Sequence, residues 1–489
     1  MNNSKLVEIL GALSSHELTR LGRFLQSPYY QASPLPDDEW RLFDLLRNQL
    51  LGDQEPNWDK EAVFAEVFPD MAFVKGKLEK KMSALFKQVQ RFIIQEQIHR
   101  NQSSFEESMA LAQFYRGKNL LRLYHITFAA LQKAHAKVSR RDKSFYYNEF
   151  QVFLEIAEFK SLQNNRNEDL SLPATLNSLD VYYLVTKLEY AYGLLSLREF
   201  QTPIDARESL ELLESVTQHL ENSSYLKVPL IETYHTAILV LQDTEDESAF
   251  NRLRQLLDEH RNTIPHIDEK ALRALCRNYC VHRFNRGEQA YLEMAYNFYR
   301  EDLERGLLYY NDGLTPGLMR NVAAIGLKQK QYDWVLNFLQ NHRQRILGVE
   351  NPEEIYQFNL AHYYFELKDY DMTLQSLSAH YPDLYYRIAA KRLEIKVYYE
   401  QSSILLEPKM DAFKVFIHRL SRTKLRHTHR EGNNNFINAL RQIITPGLFK
   451  NDKRIERVTK KIREQEVIID KDWLLEKLQE QLTNSRRKI

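Results

Sequence analysis

The chain has 489 residues and carries 67 Lys+Arg against 66 Asp+Glu, so its formal net charge is +1 and the totals alone point to no acidic or basic partner. With 43% hydrophobic residues, 28 Tyr and 25 Phe it is too rich in core-forming side chains to be disordered. Only 14 Gly and 14 Pro argue against a large parallel-sheet enzyme built on phosphate loops, and favour long helices. At about 100–200 residues per domain, the length allows about three domains or one extended array.

The N-terminal stretch MNNSKLVEILGALSSHEL lacks a basic start followed by an apolar core, and so does not read as a secretory signal. Leu18, Leu21, Phe24 and Leu25 fall at helical spacing, with Ser14 and Glu17 placed as a capping box and Leu13 and Leu18 as a hydrophobic staple. Pro28, in SPYYQASPLP, ends that helix. A second helix is predicted from about Asp38 to Leu51, and a third in NWDKEAVFAEVFP, stopped by Pro69. A long amphipathic stretch follows from Lys75 to about Ile98, its apolar face made of Leu78, Met82, Leu85, Phe86, Val89, Phe92 and Ile93.

From Ser104 onward the pattern is that of helical hairpins. The first turns at Arg116-Gly117-Lys118, where Gly117 suits the left-handed residue that ends a helix. Similar pairs are predicted at about 143–199, 204–243, 246–285 and 288–328. No segment alternates as a strand would, and none approaches the 18 or so apolar residues of a membrane span.

The segment NVAAIGLKQKQYDWVLNFLQNH (321–342) aligns without gaps on NLAHYYFELKDYDMTLQSLSAH (359–380), an offset of 38 residues. Identities include Asn321/Asn359, Ala323/Ala361, Lys330/Lys368, Tyr332/Tyr370, Asp333/Asp371, Leu336/Leu374, Leu339/Leu377 and His342/His380. A small residue in the first helix admits the second, and leucines form the seam. A period in this range signals stacked hairpins, each burying its apolar face on the next.

These residues resemble the tetratricopeptide (TPR) repeat family. Ala323, Ala361, Tyr364, Tyr332 and Tyr370 match its pattern. Lys330 and Lys368 stand where the family has a turn glycine, Val335 and Thr373 where it has a small second-helix residue, and the closing proline is absent. The resemblance implies a right-handed α-solenoid with a groove for a peptide or partner segment, in which Asn321 and Asn359 occupy groove-facing positions; the competing reading makes them plain helix surface. The N-terminal LSSHELTRLGRFLQSPYY and the C-terminal DKDWLLEKLQEQL further resemble signatures of a family of uncharacterised bacterial all-helical proteins, which implies no activity.

Charge is uneven. Residues 411–489 hold 19 Lys+Arg and 10 Asp+Glu, a net of +9, which leaves −8 for residues 1–410. HRLSRTKLRHTHR (418–430) and KNDKRIERVTKKIR (450–463) carry Arg422, Lys424, Arg426, Arg430, Lys453, Arg454, Arg457, Lys460 and Lys461 as candidate anion-binding residues. Solvated helix faces, or docking of the basic end on the chain's own acidic part, compete with nucleic-acid binding, and neither run interleaves the aromatics that single-strand binding uses.

The only cysteines, Cys276 and Cys280, rule out a disulfide framework, fit a reducing cytoplasmic setting, and at a spacing of four with no second pair read as packing thiols rather than metal ligands. His427 and His429 sit among arginines, which oppose a metal ion. His342 and His380 recur with the repeat, which argues for a packing or hairpin-end role. The acidic clusters PDDE (36–39) and DTEDE (243–247) suit helix starts. G-x-G-x-x-G, P-loop, H-E-x-x-H and G-x-S-x-G motifs are all missing, so no catalytic residue, cofactor or metal is expected.

The expectation is therefore an all-α protein with an N-terminal helical unit (1–100), a TPR-like α-solenoid (101–405) and a basic C-terminal helical segment (406–489). Its expected function is a non-enzymatic protein- or peptide-binding scaffold, with nucleic-acid binding through the basic segment as the alternative.

Overall fold

The computed structural model describes residues 4–27, 35–52, 59–101, 104–163, 171–200, 210–378, 381, 383–420, 425, 427–445 and 452–486. Among these the protein is all-α, with 23 α-helices and no strand; Tyr310/Gly313 and Leu314/Ile346 form isolated bridges. The chain divides into two compact units: Met1–Val138 with Ser144–Asp180, and Ser139–Lys143 with Val181–Ile489.

The first unit contains α1 (Lys5–Gly11), α2 (Ser15–Gln26), α3 (Asp37–Leu51), α4 (Lys60–Val67), α5 (Lys77–Asn101), α6 (Ser104–Gly117), α7 (Leu121–Ala136), most of α8 (Lys143–Leu162) and the start of α9 (Leu172–Phe200). α2 begins where expected: the Ser14 hydroxyl accepts from the Glu17 amide at 3.3 Å, and the Glu17 carboxylate accepts from the Ser14 amide at 3.0 Å. Asp37, Asp38 and Glu39 fill the first turn of α3, where their charge suits the helix dipole. Leu18, Leu21 and Leu25 of α2 pack with Leu42, Phe43 and Leu46 of α3 and with Leu78, Leu85 and Val89 of α5. Each such side chain contributes about 1.5–3 kcal/mol on full burial. α6 and α7 form the first hairpin, closed by Asn119 at φ 55°. This corrects the reading of Gly117, which lies within the helix. α6 simply runs further, and asparagine tolerates the left-handed conformation.

The second unit continues through α10 (Leu213–Glu221), α11 (Pro229–Gln242), α12 (Glu247–Glu259), α13 (His266–Asn285), α14 (Ala290–Glu304), α15 (Pro316–Lys328), α16 (Tyr332–His342), α17 (Pro352–Glu366), α18 (Tyr370–Ser376), α19 (Leu384–Glu400), α20 (Leu406–Arg419), α21 (His427–Ile444), α22 (Asp452–Glu464) and α23 (Lys471–Arg486). Close packing pairs α11 with α12, α13 with α14, α15 with α16, α17 with α18 and α19 with α20. The pairs predicted at 246–285 and 288–328 therefore straddle true hairpins. Short links flank these helices on both sides, and only packing chooses the partner.

The turns repeat in backbone where the sequence does not. Gly287, Lys330, Lys368 and Ser402 all have positive φ after α13, α15, α17 and α19. After all four the same bond closes the helix end: Glu288 N to Arg283 O at 3.3 Å, Gln331 N to Gly326 O at 2.9 Å, Asp369 N to Tyr364 O at 3.0 Å and Ser403 N to Tyr398 O at 2.9 Å. Lys330 and Lys368 thus take a glycine's conformation. Ala323, Ala361, Val335 and Thr373 are buried at matching positions.

α13 buries charge. Asp302 of α14, fully enclosed, pairs with Arg273 and Arg277, and Glu269 pairs with Arg305. The Tyr234 hydroxyl donates to Asp268, whose carboxyl burial raises. From Ala361 to Leu478 one apolar core joins α17 to α23, so the basic C-terminal segment shares its core with the last hairpins.

Candidate partner-binding surface

α15, α17 and α19, the first helices of successive hairpins, pack side by side. The 38-residue register sets Asn321, Ala324 and Lys328 of α15 beside Asn359, His362 and Glu366 of α17, one helical stripe on each. Arg392 and Lys396 continue the stripe on α19.

The two asparagines differ in accessibility. Asn321 is exposed; its Oδ1 accepts from Arg320 Nη2 at 3.2 Å, and its side chain also hydrogen-bonds Tyr299. Asn359 is 2% exposed and donates from Nδ2 to the Ile355 carbonyl at 2.7 Å. The expectation of an open groove position is corrected for Asn359, whose amide is spent within its own helix.

α23 lies over this stripe. Asp470, which precedes it at φ 53°, accepts from Arg392 Nε at 2.6 Å and sits 3.6 Å from Lys396 Nζ. Burial pushes this carboxyl up, but Lys396 and Arg392 outweigh it and hold it well below the usual range. Asp472 meets Lys328 of α15 at 3.3 Å. The Trp473 indole donates to Glu400 at 3.0 Å, and its ring lies 5.2 Å from the Lys396 ammonium. Lys477, also buried, binds Glu400 at 2.9 Å and Glu480 at 2.8 Å. Burial lowers its pKa, and these carboxylates raise it beyond the ordinary lysine value. Gly432 of α21 lets the incoming link cross: a Cβ there would stand 2.9 Å from Ile469 Cγ1.

His362 and Glu366 occupy the middle of the stripe. Burial, reinforced by Lys396, Arg392 and Arg320, pushes the imidazole down to about 3, so it is neutral. Glu366 is exposed at the end of α17, and partial desolvation raises its carboxyl against the pull of Lys396. Neither His362, half-buried, nor Glu366 has a protein hydrogen-bond partner among the described residues.

The basic residues that are described are used in different ways. Arg422, Lys424 and Arg426 lie outside the described residues, as do Pro28 and His380. Arg430 donates to the carbonyls of Ile417 and Leu420, both at 2.6 Å, and closes the end of α20. This corrects its reading as an anion ligand, because the guanidinium is committed to the backbone. Lys453 belongs to α22, its side chain outside the description; Arg454, Arg457, Lys460 and Lys461 share the exposed face of that helix, with Lys460 3.7 Å from Glu464. Ile455, Val458 and Ile462 fill the opposite face. Contacts of the C-terminal segment with the hairpins use both signs, Asp470 and Asp472 on cations and Lys477 on an acid, rather than basic charge alone.

Cys276 and Cys280 are buried free thiols, and burial pushes Cys276 up to about 12. His342 is buried between the Phe338 carbonyl at 2.7 Å and the Tyr309 hydroxyl at 2.8 Å. Among the described residues no group of His, Cys, Asp and Glu could hold a metal ion. No helix described is long and apolar enough to cross a membrane.

The register that found Asn321 and Asn359 also aligns Ala324 with His362 and Lys328 with Glu366, so these two residues were within reach of the sequence. Arg392, Lys396, Asp470, Asp472, Trp473 and Lys477 were not, because nothing local links α19 to a helix some 75 residues later. Fold and site define an all-α protein of successive helical hairpins, an arrangement compatible with a helical-repeat solenoid. No family model, curated protein or solved structure matches the chain.

Proposed function

We propose that this is a non-enzymatic, TPR-like helical-repeat scaffold of the cytoplasm that binds a protein or peptide segment on the stripe formed by α15, α17 and α19. The observation that carries the reading is that these helices already hold a helix through carboxylates, cations and an indole. That is how a repeat surface recognises a helical segment. Asn321 and Ala324 are exposed beside such a segment, and Lys328 is exposed while it pairs with Asp472. The test recovers partners from a lysate on the immobilised protein and on variants Asn321→Ala, Ala324→Arg and Lys328→Glu. All three changes are at exposed positions, so the fold survives them. Recovery that ignores all three ends this reading.

A second reading, nucleic-acid association, is favoured by the exposed cations of α22. Removing residues 411–489 is an unsuitable test, because it would strip the core shared by α17 to α23. Arg457→Glu with Lys461→Glu leaves that core alone. Phosphate binding would fall steeply with salt and fall further in this variant; no binding to DNA or RNA at low salt ends the reading.

A further inference from the structure

α6 is apolar on two sides. Its inner side, with Met109 and Ala112, packs on Tyr124 and Phe128 of α7 and Val152 of α8. Arg116, on the same inner side, pairs with Glu155 and Glu158 of α8. The opposite side carries Glu107, Leu111, Phe114 and Lys118, whose spacing of 4, 3 and 4 residues keeps them in one line along the helix. Lys118 prolongs the last turn, its amide donating to the Phe114 carbonyl at 3.0 Å. All four side chains are exposed, Leu111 to 48% and Phe114 to 56%. Neither the Glu107 carboxylate nor the Lys118 ammonium has a partner among the described residues. At 1.5 Å per residue they stand about 16 Å apart along the helix, too far to meet within one copy. The helix dipole accounts for an acid at the start of α6 and a base at its end. It does not account for setting both on the outer side, in line with two large apolar side chains.

We infer that this line is the contact between two copies of the chain, with α6 of one packed antiparallel on α6 of the other about a two-fold axis between residues 112 and 113. The pattern is its own complement. Read from either end the spacing is the same, and only the sign of the terminal charge changes. Antiparallel pairing sets Glu107 against Lys118 of the second copy and Lys118 against Glu107 of the second copy. Between these two ion pairs Leu111 of each copy faces Phe114 of the other. A parallel pair would set acid on acid and base on base. Leu123 and Ile126 of α7 are exposed as well, but α7 holds the bases Arg122 and Lys133 and no acid, so self-pairing of α7 would be repulsive. The charges therefore assign the contact to α6 rather than to the whole hairpin. Three turns of helix make a small interface, so the dimer is weak and depends on concentration. It uses no residue of the stripe on α15, α17 and α19 and stands independently of the proposed function.

The test is sedimentation velocity of the full-length protein from ~1 to ~200 µM, the range in which a weak dimer populates. The wild type should pass from monomer to dimer across it. Phe114→Glu, at an exposed position, should abolish the dimer with circular dichroism unchanged. Glu107→Lys and Lys118→Glu should each weaken association about tenfold, because each turns two attractive pairs into two repulsive ones. The two changes together should restore association to within about threefold of the wild type. An equimolar mixture of the two single variants should associate more tightly than either alone. Such rescue has no source in helix stability, since the double variant opposes the helix dipole at both ends of α6. A wild type that stays monomeric throughout overturns the inference. So does a dimer indifferent to Phe114→Glu or to the single charge reversals, or a double variant no better than the single ones.

Discussion

Replacing His362 by glutamine should remove a specific part of the acid sensitivity of the second unit. In the fold the imidazole is half-buried, crowded by Lys396 and Arg392 of α19 and Arg320 of α15, and neutral down to about pH 3. In the unfolded chain it binds a proton near its ordinary value of about 6.5. The folded value is depressed, so the stability linked to this group is fully present above about pH 6.5. It is lost as the pH falls towards about 3, because only the unfolded state takes up the proton in that window. From about pH 8 to about pH 5 the loss amounts to about 2 kcal/mol, an upper value because the ring keeps some contact with water. Urea unfolding followed by tryptophan fluorescence, which reports Trp473 in the adjacent core, measures it in the wild type and in His362→Gln. Burial also depresses His235 and His342, so both proteins lose stability in acid; the quantity that counts is the gap between them. The gap should shift by up to about 2 kcal/mol in favour of the variant over this range. A gap that stays constant, or an NMR titration placing the His362 pKa near its ordinary value, refutes the electrostatic picture of the stripe.

Asp302→Ala strands Arg273 and Arg277 in the interior and should cost about 3–5 kcal/mol in urea denaturation, whereas replacing all three by apolar residues of similar volume should cost much less. Lys330→Gly and Lys368→Gly relieve left-handed backbone and should each stabilise by about 0.5–1 kcal/mol, adding in the double variant, as read by thermal unfolding. Gly432→Ala drives a methyl against Ile469 and should destabilise by about 1–3 kcal/mol, with hydrogen exchange accelerated first in α23.

Periodicity, caps and the 38-residue offset made most helices legible, since each rests on side chains a few residues apart. The capping box of Ser14 and Glu17, the acidic first turn of α3 and the buried Ala323 and Ala361 all came from local spacing. The turn positions were only half legible: Gly117 looked like the left-handed residue, yet Asn119, Lys330, Lys368 and Ser402 hold that conformation without the residue type that advertises it. Asn359 was read at a groove position, yet its side chain is buried. Burial depends on the neighbouring helices, which the repeat alone does not position.

By itself the sequence determined that the chain is helical, that hairpins recur, and that a net of +9 over its last 79 residues offsets −8 before them. These follow from properties that act along the chain: propensity, spacing and summed charge. Tertiary structure decided which helices pair, which asparagine stays open, and how the opposite charges are used. The acids Asp470 and Asp472 of the basic segment meet cations of the hairpins, and Lys477 meets Glu400. The reason is physical: an ion pair is fixed by distance and burial, and both are properties of packed helices rather than of residues counted along a line.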